Sequence, residues 1–123
     1  MLCIAIAIHT QRGHILHKNS IKYTSHSIIL DGIDCPEMKA KTKTEKEMAI
    51  LARDKLSKKI LGEWVELRNV QQEKYGRVLA EVWHGSDRTS VNEWLVKNRL
   101  AVKYDGGKKE TPKNWRRYYN SKQ

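Results

Sequence analysis

The stretch Asp31-Gly32-Ile33-Asp34-Cys35-Pro36-Glu37 places three carboxylates within seven residues of a chain dominated by lysine. It follows the apolar run Ile28-Ile29-Leu30. One reading is plain: Asp, Gly and Pro are turn formers, and a turn after a strand has this composition. The other reading is chemical. Asp34 and Glu37 stand three apart across a proline, so they cannot both follow a regular strand. A kink there turns both carboxylates into one cavity, where they would hold a cation and a water for phosphate chemistry. These residues alone leave both readings open.

Upstream, residues 2–8 form an apolar strand candidate. Residues 15–16, 21–24 and 27–30 are short β-branched stretches broken by polar residues, the pattern of a bent antiparallel meander. The opening MLCIAIAI is too short to span a bilayer. It also lacks the basic segment and cleavage site of a signal peptide. It reads as a first strand, and the chain as cytoplasmic or intracellular.

Downstream, the period changes. Thr44-Glu45-Lys46-Glu47 fits a capping box. Met48, Ala52, Leu56 and Ile60 then recur every fourth residue, which predicts an amphipathic helix over 44–60 that stops near Gly62. Residues 64–67 and 77–83 read as strands, joined by 71–76, with Val78, Ala80 and Val82 alternating against Leu79, Glu81 and Trp83. Ser90-Val91-Asn92-Glu93 is a second capping box and opens a short helix ending around Asn98. Tyr104-Asp105-Gly106-Gly107 is a loop. Thr111-Pro112 predicts the start of a terminal helix docked by Trp115, Tyr118 and Tyr119. Five strands around one helix, with further helix at the end, suit a single α+β domain over 1–123 built on a small closed barrel.

The chain carries 24 Lys and Arg against 14 Asp and Glu, a net charge of +10. That balance selects a polyanionic partner, nucleic acid ahead of a membrane surface. No feature calls for membrane insertion or a second copy, so a monomer is expected. Cys3 and Cys35 give neither a disulfide framework nor a zinc signature. The five histidines, among them His14, lack metalloprotease spacing and read as structural or surface residues.

Phosphodiester hydrolysis needs a nucleophilic water, a group to orient it, and positive charge on the phosphoryl oxygens. Lys74-Tyr75-Gly76-Arg77 supplies a fork-shaped cation at a strand start, with a glycine that permits close approach to a ligand. Arg77 is equally readable as a surface arginine.

The ordered set Ile33-Asp34-Cys35-Pro36-Glu37, Lys74-Tyr75-Gly76-Arg77-Val78-Leu79-Ala80, Val91-Asn92-Glu93-Trp94-Leu95-Val96 and Leu100-Ala101 resembles the staphylococcal nuclease (thermonuclease) family over about residues 28–109. Tyr104-Asp105-Gly106-Gly107-Lys108-Lys109 is similar to the variant of that loop in members from large DNA viruses and bacteriophages. The resemblance implies a five-stranded OB-type barrel with two to three helices, and calcium-dependent cleavage of DNA and RNA. Carried over by residue, it implies Asp34 and the Cys35 backbone carbonyl as Ca2+ ligands. Glu37 is implied as the carboxylate that orients or deprotonates the attacking water. Arg77 is implied as the arginine on the phosphate, Lys74 and Tyr75 as contacts to a terminal phosphate, and Tyr104 as a residue flanking a base. Lys108 and Lys109 join the nucleic-acid-binding set.

Two departures from the family pattern stand out. The family's Asp-Gly-Asp after the first strand aligns, at best, with Arg12-Gly13-His14, so a metal carboxylate is missing. The family's arginine ahead of the D-x-P-E motif falls at Ile29. Loss of one electrostatic donor costs about 10²–10³ in rate. Asp31, two residues from Ile29 on the strand, is a candidate replacement ligand, and His14 would favour a softer metal. Two functions follow: a metal-dependent nuclease, or a catalytically impaired module that binds nucleic acid. The second draws on residues 108–123, where six Lys or Arg accompany Glu110 and interleave with Trp115, Tyr118 and Tyr119,.

Overall fold

The computed structural model describes residues 5–11, 23–72 and 77–121. Six strands and three helices run in the order β1 (Ala5–Gln11), β2 (Tyr23–Leu30), β3 (Ile33–Asp34), α1 (Lys43–Ile60), β4 (Val65–Gln72), β5 (Val78–His84), α2 (Val91–Lys97), β6 (Val102–Lys103) and α3 (Trp115–Asn120). The architecture is α+β, with a mixed sheet.

A four-stranded sheet has the order β1-β2-β5-β4, and a two-stranded sheet pairs β3 with β6. β1 and β2 are antiparallel, from Ala5 opposite Ile29 to Gln11 opposite Tyr23. β2 and β5 are parallel, with Ile28, Ile29 and Leu30 beside Val78, Leu79 and Ala80. β4 returns antiparallel on β5 with a register shift between Arg68 and Gln71. Asn69 takes a left-handed φ of 52° in that bulge, and its Nδ2 donates to Glu81 Oε2 at 2.7 Å. These pairings among the described residues make two sheets and do not close a five-stranded barrel. β2 is continuous from Tyr23 to Leu30, so the stretches 21–24 and 27–30 belong to one strand where both are described; the expected polar break at 18–20 lies outside the described residues. Residues 15–16 lie outside the described residues.

α1 buries Met48, Ala49, Ala52, Leu56 and Ile60, the stripe its four-residue period requires. Of these, Ala52, Leu56 and Ile60 meet Ile28, Leu30, Ala80, Val82, Leu95, Leu100 and Ala101 in one core. Its N-cap is Thr42 rather than Thr44: the Thr42 hydroxyl accepts from the Glu45 amide at 3.3 Å. At the other end Gly62 adopts φ +76° just beyond the Leu61 cap, the left-handed stop that glycine allows without steric cost. α2 is capped as expected, with Ser90 Oγ accepting from the Glu93 amide at 3.0 Å. α3 begins at Trp115, not at Pro112, since the Asn114 side chain accepts from the Arg117 amide at 3.0 Å. Trp115 is buried and meets Tyr118 edge-on, with ring centroids 6.0 Å apart. Tyr118 Oη donates to the Ala101 carbonyl at 3.2 Å. Among the described residues no helix is long and apolar enough to cross a membrane.

Candidate active site

β2 ends at Leu30, and the chain reverses through Asp31 and Gly32, whose φ of +80° needs a residue without a Cβ,. The Asp31 amide donates to the Ala80 carbonyl at 3.0 Å, and the Tyr104 amide donates to the Gly32 carbonyl at 2.8 Å. β3 then sets Ile33 opposite Lys103 and Asp34 opposite Val102. These bonds make the 31–37 stretch both a turn and the start of a new strand.

Asn92 fixes the turn from behind. It is buried, and its Nδ2 donates to the Asp31 carbonyl at 2.8 Å and the Ala80 carbonyl at 3.1 Å. Its Oδ1 accepts from the Val82 amide at 3.0 Å. One amide thus ties α2, β5 and the carboxylate-bearing turn together. The sequence marks Asn92 as part of a capping box and of the family-like run Val91–Val96, with no role for its side chain. The polar residue on the inner side of a short helix was the available signal.

Asp34 is 3 % exposed. Its Oδ1 is buried and accepts no hydrogen bond. Lys109 places its Nζ 3.7 Å from Oδ1. Burial, and then the neighbouring Glu37 carboxylate, push the Asp34 carboxyl up to about 6, while the Cys35 backbone amide opposes the rise and Glu45 adds to it. Desolvation is the largest of these effects,. Glu37 is exposed beside this buried acid, and its amide donates to Glu45 Oε2 at 3.0 Å. Glu45 was expected only as an interior residue of a capping box. It instead reaches back eight residues to hold the backbone of Glu37.

Cys35 is buried and disulfide-bonded, which corrects the expectation that its position gave no disulfide. Sequence separation does not report spatial proximity, and the other cysteine, Cys3, lies outside the described residues. With the thiol engaged, only the backbone carbonyl of Cys35 is left as a possible ligand. Ile29 is buried in β2, so an apolar side chain stands where the family pattern has an arginine. Arg77 immediately precedes β5 and is exposed. The parallel register sets it one residue before the Ile28–Val78 pair. His14, Lys74 and Tyr75 lie outside the described residues.

Asp31, Tyr104 and Lys108 line a cavity of about 850 Å³ together with Glu81, Glu93 and Glu110, and neither Asp34 nor Glu37 is among its lining residues. The structure therefore sets Asp31 and Asp34 toward different surroundings. Lys109 joins the two regions: its Nζ lies 5.6 Å from the Tyr104 ring centroid. Among the described residues no three His, Cys, Asp or Glu side chains gather as a metal cage. A buried carboxylate oxygen without a donor, flanked by two further carboxylates, nonetheless calls for positive charge. Asp34 and the Cys35 carbonyl are hard oxygen donors suited to calcium or magnesium rather than a softer ion.

The profile of a family described as staphylococcal nuclease homologue matches residues 27–123, most of the chain. The chain belongs to the staphylococcal nuclease family. No curated protein matches it. The family match supports action on nucleic acids as the general class of function.

Proposed function

We propose that this domain is a metal-dependent nuclease that hydrolyses phosphodiester bonds of DNA or RNA, built on the α+β fold described above. The observation that carries this reading is Asp34: a buried carboxylate with an unbonded oxygen, three residues from the exposed carboxylate of Glu37. Asp34 and the Cys35 carbonyl would hold Ca2+, which when bound neutralises charge on the scissile phosphate. Glu37 orients a water and takes its proton as the water oxygen bonds to phosphorus. Glu45 holds the Glu37 backbone while this happens. Arg77 binds phosphoryl oxygens through its planar fork as the phosphorus–oxygen bond to the leaving group breaks. Lys74 and Tyr75 contact a terminal phosphate, Tyr104 flanks a base, and Lys108 adds to the basic approach.

A second reading is a nucleic-acid-binding module with impaired catalysis. Two observations favour it: the buried Ile29 at the place of an arginine, and the ammonium of Lys109 on Asp34. Its original support, stacking aromatics in the C-terminal segment, is weakened because Trp115 and Tyr118 are engaged with the core. Cleavage of single-stranded DNA, duplex DNA and RNA separates the two readings. It is measured with calcium, magnesium, manganese, zinc or chelator, beside Glu37→Ala. Metal-dependent cleavage that vanishes in Glu37→Ala establishes the nuclease. Binding without cleavage under every condition establishes the module.

A further inference from the structure

We propose that Lys109 is a tethered cation that occupies the Asp34 carboxylate and competes with a divalent cation for it. The inference deepens the proposed nuclease site and rests on Asp34 being its cation-binding carboxylate.

Three observations converge on this contact. Asp34 Oδ1 is buried, has no hydrogen-bond donor, and has the Lys109 ammonium 3.7 Å away. The Lys109 side chain is 31 % exposed against 5 % for Asp34, so the base, not the acid, is the partner free to leave. The segment bearing Lys109 is anchored at its root, where the Tyr104 amide bonds the Gly32 carbonyl. Tyr104 also presents its ring to the ammonium. A lysine is a point charge on a flexible stem. It can neutralise Asp34 without satisfying it, since 3.7 Å is too long for a good hydrogen bond.

Acidic groups also stand near Asp34. Glu37 and Glu45 both raise the cost of its charge. A divalent cation entering this position would therefore gain the attraction of all three carboxylates but must first displace one ammonium. A phosphate oxygen of a nucleic acid offers that ammonium an alternative partner. Substrate and metal then enter in a coupled way: the polyanion draws Lys109 off, and the released carboxylate accepts the cation.

Calorimetric titration of the full chain with Ca2+ alone, without nucleic acid, tests the competition. Lys109→Met is expected to bind Ca2+ roughly ten-fold more tightly than the parent chain, because the displaced charge pair has one buried member. Lys97→Met removes the same charge from an exposed helix position and should leave Ca2+ affinity within about two-fold, the scale of a screened surface charge. Adding Asp34→Asn to Lys109→Met should abolish the gain. Equal or weaker Ca2+ binding by Lys109→Met, or no binding by either chain, overturns the inference. An equal gain in Lys97→Met also overturns it, by reducing the effect to net charge. Tighter binding without cleavage keeps the inference and removes the nuclease reading. Glu37-dependent cleavage with no gain in Lys109→Met does the reverse.

Discussion

Asn92 Nδ2 lies 2.8 Å from the carbonyl oxygen of Asp31, a residue sixty-one positions earlier in the chain. The same side chain bonds Ala80 and Val82, so its removal takes away three hydrogen bonds to the backbone at once. Asn92→Ala should destabilise the domain by about 2–4 kcal/mol, the cost of leaving buried donors and acceptors unmade. Asn92→Asp should also destabilise, because a carboxylate cannot donate to the two carbonyls. Urea unfolding measures both, and a loss below about 0.5 kcal/mol would remove Asn92 from this clamping role.

Asp34 makes stability depend on pH with a defined sign. Its folded pKa is about 6 against an ordinary 3.8. Between those values the folded chain binds the proton more firmly than the unfolded chain does. Stability therefore falls as pH rises from about 4 to about 6, by up to about 3 kcal/mol, and levels off above that range. Asp34→Asn should raise the melting temperature at pH 7–8 and leave it nearly unchanged near pH 4. A larger gain at pH 4 than at pH 7 would contradict the assignment.

Arg77 is exposed just ahead of β5, so Arg77→Ala should cost no more than about 1 kcal/mol of stability, the scale of an exposed polar or ionic contact. If it serves the phosphate, cleavage should drop by about 10²–10³-fold. Arg77→Lys should recover only part of this, because an ammonium lacks the planar fork. Single-turnover cleavage beside a melting curve checks the split. Equal cleavage by all three chains would return Arg77 to the surface.

The C-terminal aromatics should report on folding more than on ligand binding. Trp115→Ala is expected to cost about 3–5 kcal/mol, as for other buried indoles. Tyr118→Phe should cost about 1 kcal/mol by losing its bond to the Ala101 carbonyl. Neither change alters the charge that meets phosphates. Nucleic-acid affinity of the folded Tyr118→Phe chain should therefore match the parent and keep its steep salt dependence. A large affinity loss with stability intact would restore the stacking role.

Much of this fold was legible because apolar period is a local signal. The stripe Met48, Ala52, Leu56 and Ile60 announced α1, and Ala80 and Val82 announced the inner face of β5. Caps were harder, since several residues in a polar run offer an oxygen. Thr42 caps in place of Thr44, and Asn114 in place of Thr111, each by accepting from the amide three residues on. β3 and β6 are two residues each and too short to show any period. Asp34 and Glu37 were marked by their motif and its family resemblance. The contacts of Glu45 with Glu37, and of Lys109 with Asp34, were invisible because they join segments whose approach is set by tertiary structure.

The parallel pairing of β2 with β5 has a consequence for how the protein is made. It joins segments about 50 residues apart, the kind of contact that forms slowly because a long loop must close first,. During synthesis β2 meets β1 early but waits for β5, and the 31–37 turn waits longer still for Asn92. Until then Ile28, Ile29 and Leu30 present an apolar strand with an open side, a surface that chaperones recognise and that favours association between nascent chains. A ribosome that stalls before residue 92 releases a product with the acidic turn but without the clamp that shapes it.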